Sequence, residues 1–319
     1  MQATYIKALE QRAKWTQFAD LYLEHLKQGS RHEHLGRVCS EPVHYIHTFR
    51  MYRESLRRGD TLYMDKHFCE LVDYARETVP DDLFFEDSWM ATPAGFMWIE
   101  TPFDCPVPLD MTDLLKLTGK PAPMIAALSW FPSITGGTTF MTYQAFDRIP
   151  VFGAPGFGCW TFFTLNHGDS LINTIQKFEA TVIDYDQPGY GQYTPGKVTN
   201  MKHEIRWVYT AMHLMSQRLA ETTEHRTSPL ARSMAARKNL KLDAYLKVVT
   251  LRRKHLEPQH ETEHRPVDWS CRWLVHHHWR NQWYPSEQIH RQIFIDPYTK
   301  GPEDKPFKQP AHTLFKAQR

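Results

Sequence analysis

Several features that would settle the class of this protein at once are missing from its sequence. No run of about 18 apolar residues occurs, so no transmembrane helix is expected. The opening Met1-Gln2-Ala3-Thr4-Tyr5 passes straight into charged sequence. Without a basic segment followed by an apolar one, a secretory signal is not expected. The five cysteines (Cys39, Cys69, Cys105, Cys159 and Cys271) are odd in number, widely spaced and never form a CxxC pair. That argues against a disulfide framework and a four-cysteine zinc site, and it points to reduced thiols in a cytoplasmic protein. No internal repeat, nucleophile elbow, P-loop, HExxH or EF-hand pattern is present, so no cofactor, metal or Ser/Cys nucleophile is nominated. Net charge is scarce as well, at +2 over 319 residues.

That neutrality is a sum of opposites. Residues 201–319 carry 21 Lys and Arg against 12 Asp and Glu, while residues 1–200 carry 17 against 24. Eleven of the 18 histidines also fall in the last 119 residues. Apolar residues at 41% and charged residues at 23% are ordinary for a globular chain, and the length suits about two domains or one elaborated domain. Aromatics at 13%, ten of them Trp, are abundant enough for a large core or a stacking platform.

Periodicity predicts helices over 4–28, 43–56 and 62–77, which makes residues 1–80 a helical region. Beyond Pro80 the texture changes to short β-branched and aromatic runs separated by Pro, Gly and Asp. Among them are Gly95–Glu100, Met124–Trp130, Thr138–Tyr143 and Gly158–Leu165. This spacing predicts an antiparallel meander. A helix is expected from Asp169 or Ser170 to about Glu179, a strand over 180–185, and a lid-like loop over 186–199. A long helix over 202–221 follows, so 81–221 reads as an antiparallel β region ending in that helix. Residues 222–244 are polar and basic without a clear apolar stripe and read as a linker. Strands over 245–251, 272–283 and 292–298, with a short one near 313–316, make 245–319 a C-terminal β-hairpin subdomain. The expected class is α+β.

The densest chemistry lies between Asp268 and Asp304. If 272–283 is one strand, alternation puts Leu274, His276, His278, Arg280 and Gln282 on one face. Trp273, Val275, His277, Trp279 and Trp283 take the other. Three functional readings follow. His276 and His278, two apart on a strand, could share a metal with His290 or Asp296 as third ligand, though HxH alone is a weak signal. One of His276, His278 and His290 could serve as general acid or base, with Arg280 stabilising an anion, as phosphodiester chemistry requires. Arg252, Arg253, Arg280 and Arg291 could instead bind a phosphate backbone. The bland reading is a polar-faced hairpin packed on another element. Cys271 beside these histidines is too little for a Cys–His pair.

Other candidates carry less. Gly153-Ala154-Pro155-Gly156-Phe157-Gly158 precedes a strand-like run rather than a helix, so a tight turn is expected in place of a dinucleotide loop. His167-Gly168-Asp169-Ser170 precedes a helix and reads as an N-cap. His44 and His47, near Arg50, Arg53, Arg57 and Arg58, read as a solvated basic helix face. His213 beside Met212 and Met215 reads as a boundary or buried histidine.

The run His278-Trp279-Arg280-Asn281-Gln282-Trp283-Tyr284-Pro285-Ser286, then His290-Arg291, Ile295-Asp296-Pro297-Tyr298 and Lys300-Gly301-Pro302-Glu303-Asp304-Lys305-Pro306, resembles the C-terminal signature of a family of hypothetical proteins from actinobacteria and their phages. Weaker similarity covers 93–102, 127–130 and 248–253, so the resemblance spans about half of residues 90–310. It implies a host range and no particular chemistry. Relatives tend to have Gly at the position of His277, which speaks against a shared triple-histidine metal site. Taken together, the sequence points to a nucleic-acid-associated protein, with action on phosphodiesters through the His/Arg face as its sharper form. The alternative is a non-catalytic regulatory protein of phage or mobile-element origin that binds a protein partner through the Trp/Tyr-rich hairpin.

Overall fold

The computed structural model describes residues 2–27, 42–104, 124–133, 136–144, 160–183, 195–252 and 271–307. The chain divides into two compact units, Met1–Arg252 and Arg253–Arg319. The α+β class holds: the described residues form six helices, a mixed seven-stranded sheet and two small antiparallel pairs.

In chain order, the first unit contains α1 (Gln2–Lys27), α2 (Pro42–Arg58), β1 (Asp60–Met64), α3 (Lys66–Arg76), β2 (Gly95–Asp104), β3 (Met124–Pro132), β4 (Thr138–Gln144) and β5 (Trp160–Leu165). Then come α4 (Leu171–Ile183), α5 (Pro195–Ser216), β6 (Ala220–Arg226), α6 (Pro229–Arg237) and β7 (Tyr245–Leu251). The strands form one seven-stranded sheet in the order β5-β4-β3-β2-β1-β7-β6. The expected antiparallel meander is present as β2 to β5. The rest of the sheet is mixed, because β1 runs parallel to both β2 and β7. Only a crossover can join two parallel neighbours, and α3 supplies it between β1 and β2.

Alternation along the strands builds a core on each side of the sheet. Phe96, Trp98, Ala127, Phe131, Met141, Tyr143, Leu246 and Val248 lie in one apolar cluster with Trp15, Phe18 and Leu23 of α1, Phe49, Tyr52 and Leu56 of α2, and Ala231 of α6. On the other side, Phe103 stacks on Trp207 of α5 at 4.4 Å and 11°. Gly95 is required for this packing, since a Cβ there would come within 2.3 Å of the buried Trp130 ring. Beneath α1 the wholly buried Arg12 donates to the carbonyl oxygens of Leu56 and Gly59 and to the Thr61 hydroxyl, and lies 5.2 Å over the Phe96 ring. It thus satisfies carbonyls that the end of α2 leaves without intrahelical partners.

Several expectations needed correction. The 62–77 segment is not one helix: Thr61-Leu62-Tyr63-Met64 lies in β1, and Asp65 then caps α3 by accepting from the Phe68 amide at 2.8 Å. A polar N-cap directly after a β-prone run gives the break. The 222–244 segment carries β6 and α6. Ser228 caps α6 and accepts from the Ala231 amide, Pro229 opens it, and Asn239 ends it at φ 54°. Tyr245–Leu251 lies in the main sheet between β1 and β6, where its Leu246, Val248 and Val249 are buried. The long helix spans 195–216 rather than 202–221. Residues 180–183 of the strand expected over 180–185 are instead the last turn of α4, and residues 195–199 of the loop expected over 186–199 belong to α5, while the Gly153–Gly158 turn and the 313–316 strand lie outside the described residues. His167-Gly168-Asp169-Ser170 is the turn before α4, with Ser170 Oγ accepting from the Asn173 amide at 3.2 Å.

Candidate functional site

The described part of the second unit consists of two small antiparallel pairs. Strand β8 (Trp273–Val275) pairs with β11 (Tyr298–Lys300), and β9 (His278–Tyr284) pairs with β10 (Ile289–Ile295). The expected single strand over 272–283 is therefore interrupted at His276-His277, and Asp296-Pro297 separates β10 from β11. Pro lacks an amide hydrogen, which suits the second break. Gly301, at φ 110°, lies so close that a Cβ would come 2.8 Å from the Arg272 Cα. That turn brings Phe307 back beside Arg272, whose guanidinium sits 4.2 Å over the ring.

The register of β9 with β10 fixes which side chains share a face, since directly opposed residues project together. Trp283 opposes His290, Asn281 opposes Gln292 and Trp279 opposes Phe294. Trp283 and His290 have ring centroids 4.7 Å apart, and Trp279 meets Phe294 edge to face at 5.0 Å. His277 stacks on the buried Phe294 at 5.7 Å. The other face carries Tyr284 opposite Ile289, Gln282 opposite Arg291, Arg280 opposite Ile293 and His278 opposite Ile295. There Arg280 donates to Gln282 Oε1, and Arg291 pairs with Glu287 at 2.7 Å and lies 5.6 Å over the Tyr284 ring.

The nominated catalytic residues are thus not brought together. His278 and Arg280 share a face, and His290 lies on the opposite one against Trp283. His276 falls in the break, where its carbonyl accepts from His278 Nδ1 at 2.9 Å. Of the nominated phosphate-binding residues, Arg280 and Arg291 share an exposed face. Arg252 directly follows β7 in the first unit, its amide donating to the Leu219 carbonyl at 2.8 Å, and Arg253 lies outside the described residues. No group of three or more His, Cys, Asp or Glu side chains placed for a metal occurs among the described residues.

Two features of the surface escaped the sequence reading. Large exposed apolar side chains concentrate in the ribbon unit: Leu274, Trp283, Ile289, Tyr298 and Phe307. The basic excess, in contrast, belongs mainly to the first unit. Residues 201–252 hold ten Lys and Arg against four Asp and Glu, while 253–319 hold eleven against eight. Of these, Arg226, Arg232, Arg237 and Lys238 are exposed, on or next to β6 and α6. The unit boundary at Arg252, invisible in the sequence, decides this division. Among the cysteines, Cys69 is buried with its thiol pushed up to about 12 by desolvation, so it is no nucleophile near neutral pH.

No family model matches this chain, and no curated protein matches its sequence.

Proposed function

We propose that this is a nucleic-acid-binding protein whose C-terminal ribbon contacts the phosphate backbone without cleaving it. The observation that carries this reading is the face shared by His278, Arg280, Gln282 and Arg291 on a two-stranded antiparallel ribbon, with His278, Arg280 and Arg291 exposed and Gln282 half-buried. Seven residues per strand give a ribbon of about 23 Å at ~3.3 Å per residue, a shape that a nucleic-acid groove accepts. Arginine suits phosphate because its planar fork donates two parallel hydrogen bonds. Exposed Trp283 beside His290 adds an aromatic surface on which a base can stack. Binding is favoured over phosphodiester cleavage because, among the described residues, the face of the β9–β10 ribbon that carries His278 holds no second histidine.

A protein partner is the second reading, favoured by the five exposed apolar side chains of the ribbon unit. Salt distinguishes the two. Backbone binding weakens as salt rises, with a logarithmic slope of about −0.9 per phosphate contacted on duplex DNA. Fluorescence anisotropy with a labelled duplex should therefore show steep salt dependence. The double variant Arg280→Ala/Arg291→Ala should lower the slope by about 2. Absence of binding even at low salt would refute the nucleic-acid reading and leave the protein partner.

A further inference from the structure

We propose that β6 is a self-association edge, along which two copies of this chain join antiparallel about a two-fold axis at Thr223. Strand β6 is terminal in the sheet order and has β7 as its only strand neighbour among the described residues. Its side chains are exposed or half-buried from Ala220 to Arg226, and it contains no Pro, Gly or bulge. Straight, uncovered edges of this length are templates for further pairing, and proteins ordinarily blunt them.

Hydrogen bonds at the two ends of β6 establish which backbone groups are already used. The Arg252 amide donates to the Leu219 carbonyl at 2.8 Å, and the Thr227 amide to the Ala244 carbonyl at 2.8 Å. Odd-numbered residues of β6 therefore face β7, because the direction alternates along a strand. The amides and carbonyls of Thr222, Glu224 and Arg226 point to the free edge.

This parity limits how two copies can pair. Edge-facing residues must meet edge-facing residues, so an antiparallel self-pairing centres on a residue rather than between two, and only Thr222, Thr223 and Glu224 as centres pair five or more residues of each strand. Centring on Glu224 sets the two Glu224 carboxylates directly opposite each other, which is destabilising. Centring on Thr222 leaves His225 and Arg226 unpaired. Centring on Thr223 uses the whole strand: Ala220 opposes Arg226, Thr222 opposes Glu224, and Thr223 opposes itself. Glu221 then opposes His225 in both halves, so an imidazole meets a carboxylate twice and no like charges face each other. His225 is already held on that face, its Nε2 lying 3.1 Å from Thr223 Oγ1. The result is a continuous fourteen-stranded sheet across two copies, within the range of large α/β sheets.

The test uses the full chain. Analytical ultracentrifugation should give twice the monomer mass of 37.6 kDa at micromolar concentration. Glu224→Pro removes an edge-facing amide while leaving every β6–β7 bond, so this variant should sediment as monomer. Thr223→Cys should cross-link to its own copy under mild oxidation, since opposed non-hydrogen-bonded residues stand ~4.5 Å apart, within disulfide range. Thr222→Cys, displaced along the strand from its own copy by about 7 Å, should not cross-link. A wild-type monomer overturns the proposal. So does a dimer that survives Glu224→Pro, which would place the contact on another surface such as the apolar ribbon. Cross-linking through Thr222 but not Thr223 overturns the register and with it the proposal.

Discussion

At the scale of single residues, the first unit depends on a charge placed where charges are costly. Arg12 is wholly buried, and desolvation lowers its pKa to about 10. What holds it is a set of oxygens without formal charge: the carbonyls of Leu56 and Gly59 and the hydroxyl of Thr61. Removing the guanidinium leaves these acceptors buried and unbonded, at about 1–3 kcal/mol each. Arg12→Met, which keeps the apolar stem, should lower the unfolding free energy in urea by about 3 kcal/mol. An unchanged midpoint would mean that the carbonyls find other donors. A pH effect arises beside it. Tyr52 and Tyr143 stack at 6.0 Å, Tyr143 bonds Ser129 at 2.5 Å, and burial raises both phenols well above the ordinary range. Burial raises Tyr5 likewise, and pushes Tyr209 and the Cys69 thiol up to about 12. Each is held neutral in the folded state, so its contribution is complete below the unfolded pKa and is lost as pH rises through the folded one. Arg12 acts in the opposite sense, because the penalty on its charged form is relieved above about 10. Five acids outweigh one base. The melting temperature should stay level up to about pH 9 and fall steeply between about 10 and 12. A flat profile to pH 12 would contradict the burial of these groups.

At the scale of elements, the pairing of β2 with β3 depends on an absent side chain. Gly95 lies against the Trp130 indole, whose Nε1 donates to the Thr92 carbonyl at 2.9 Å and whose side chain is 1% exposed. The ring is pinned and has nowhere to go. Gly95→Ala should therefore destabilise by about 1–3 kcal/mol through overpacking, seen as a lower urea midpoint with quenching of Trp fluorescence altered. Stabilisation would show that the indole can yield. This position also illustrates what the sequence could and could not disclose. The strand itself was legible, because Phe96-Met97-Trp98-Ile99 is a continuous β-prone run. So were α1 and α2, whose repeats are long enough for the 3.6 period to show. Strand β1 was absorbed into a helix because five residues are too few to establish alternation. Strand β7 was assigned to the wrong unit because its partners, β1 and β6, are set by long-range pairing that no local pattern records. The ribbon was legible in composition but not in its breaks. The interruption at His276-His277 fixes the phase of β9, and the pairing with β10 sends His290 away from His278.

At the scale of the whole molecule, the division at Arg252 reassigns the charge that first suggested a polyanionic partner. Residues 201–252 exceed their acids by six cations and 253–319 by only three. A binding site chosen by charge alone would fall on the first unit, around Arg226, Arg232, Arg237 and Lys238. A site chosen by the joint presence of arginines and aromatics on an exposed ribbon falls on the second. A shortened chain separates the two. Residues 1–252 keep the entire sheet, with all seven strands, and a core that contains Trp15, Trp98, Trp130 and Trp207. Among the described residues, the apolar cluster beneath α1 and α2 draws nothing from beyond Val248. The shortened chain should therefore unfold cooperatively on its own, followed by circular dichroism, and should lose most of the salt-dependent affinity of the full chain for duplex DNA. Retention of full affinity by residues 1–252 would move the nucleic-acid contact onto the basic surface of β6 and α6. In that case Arg232→Ala/Arg237→Ala should reduce the salt slope by about 2, and Arg280→Ala/Arg291→Ala should leave it unchanged.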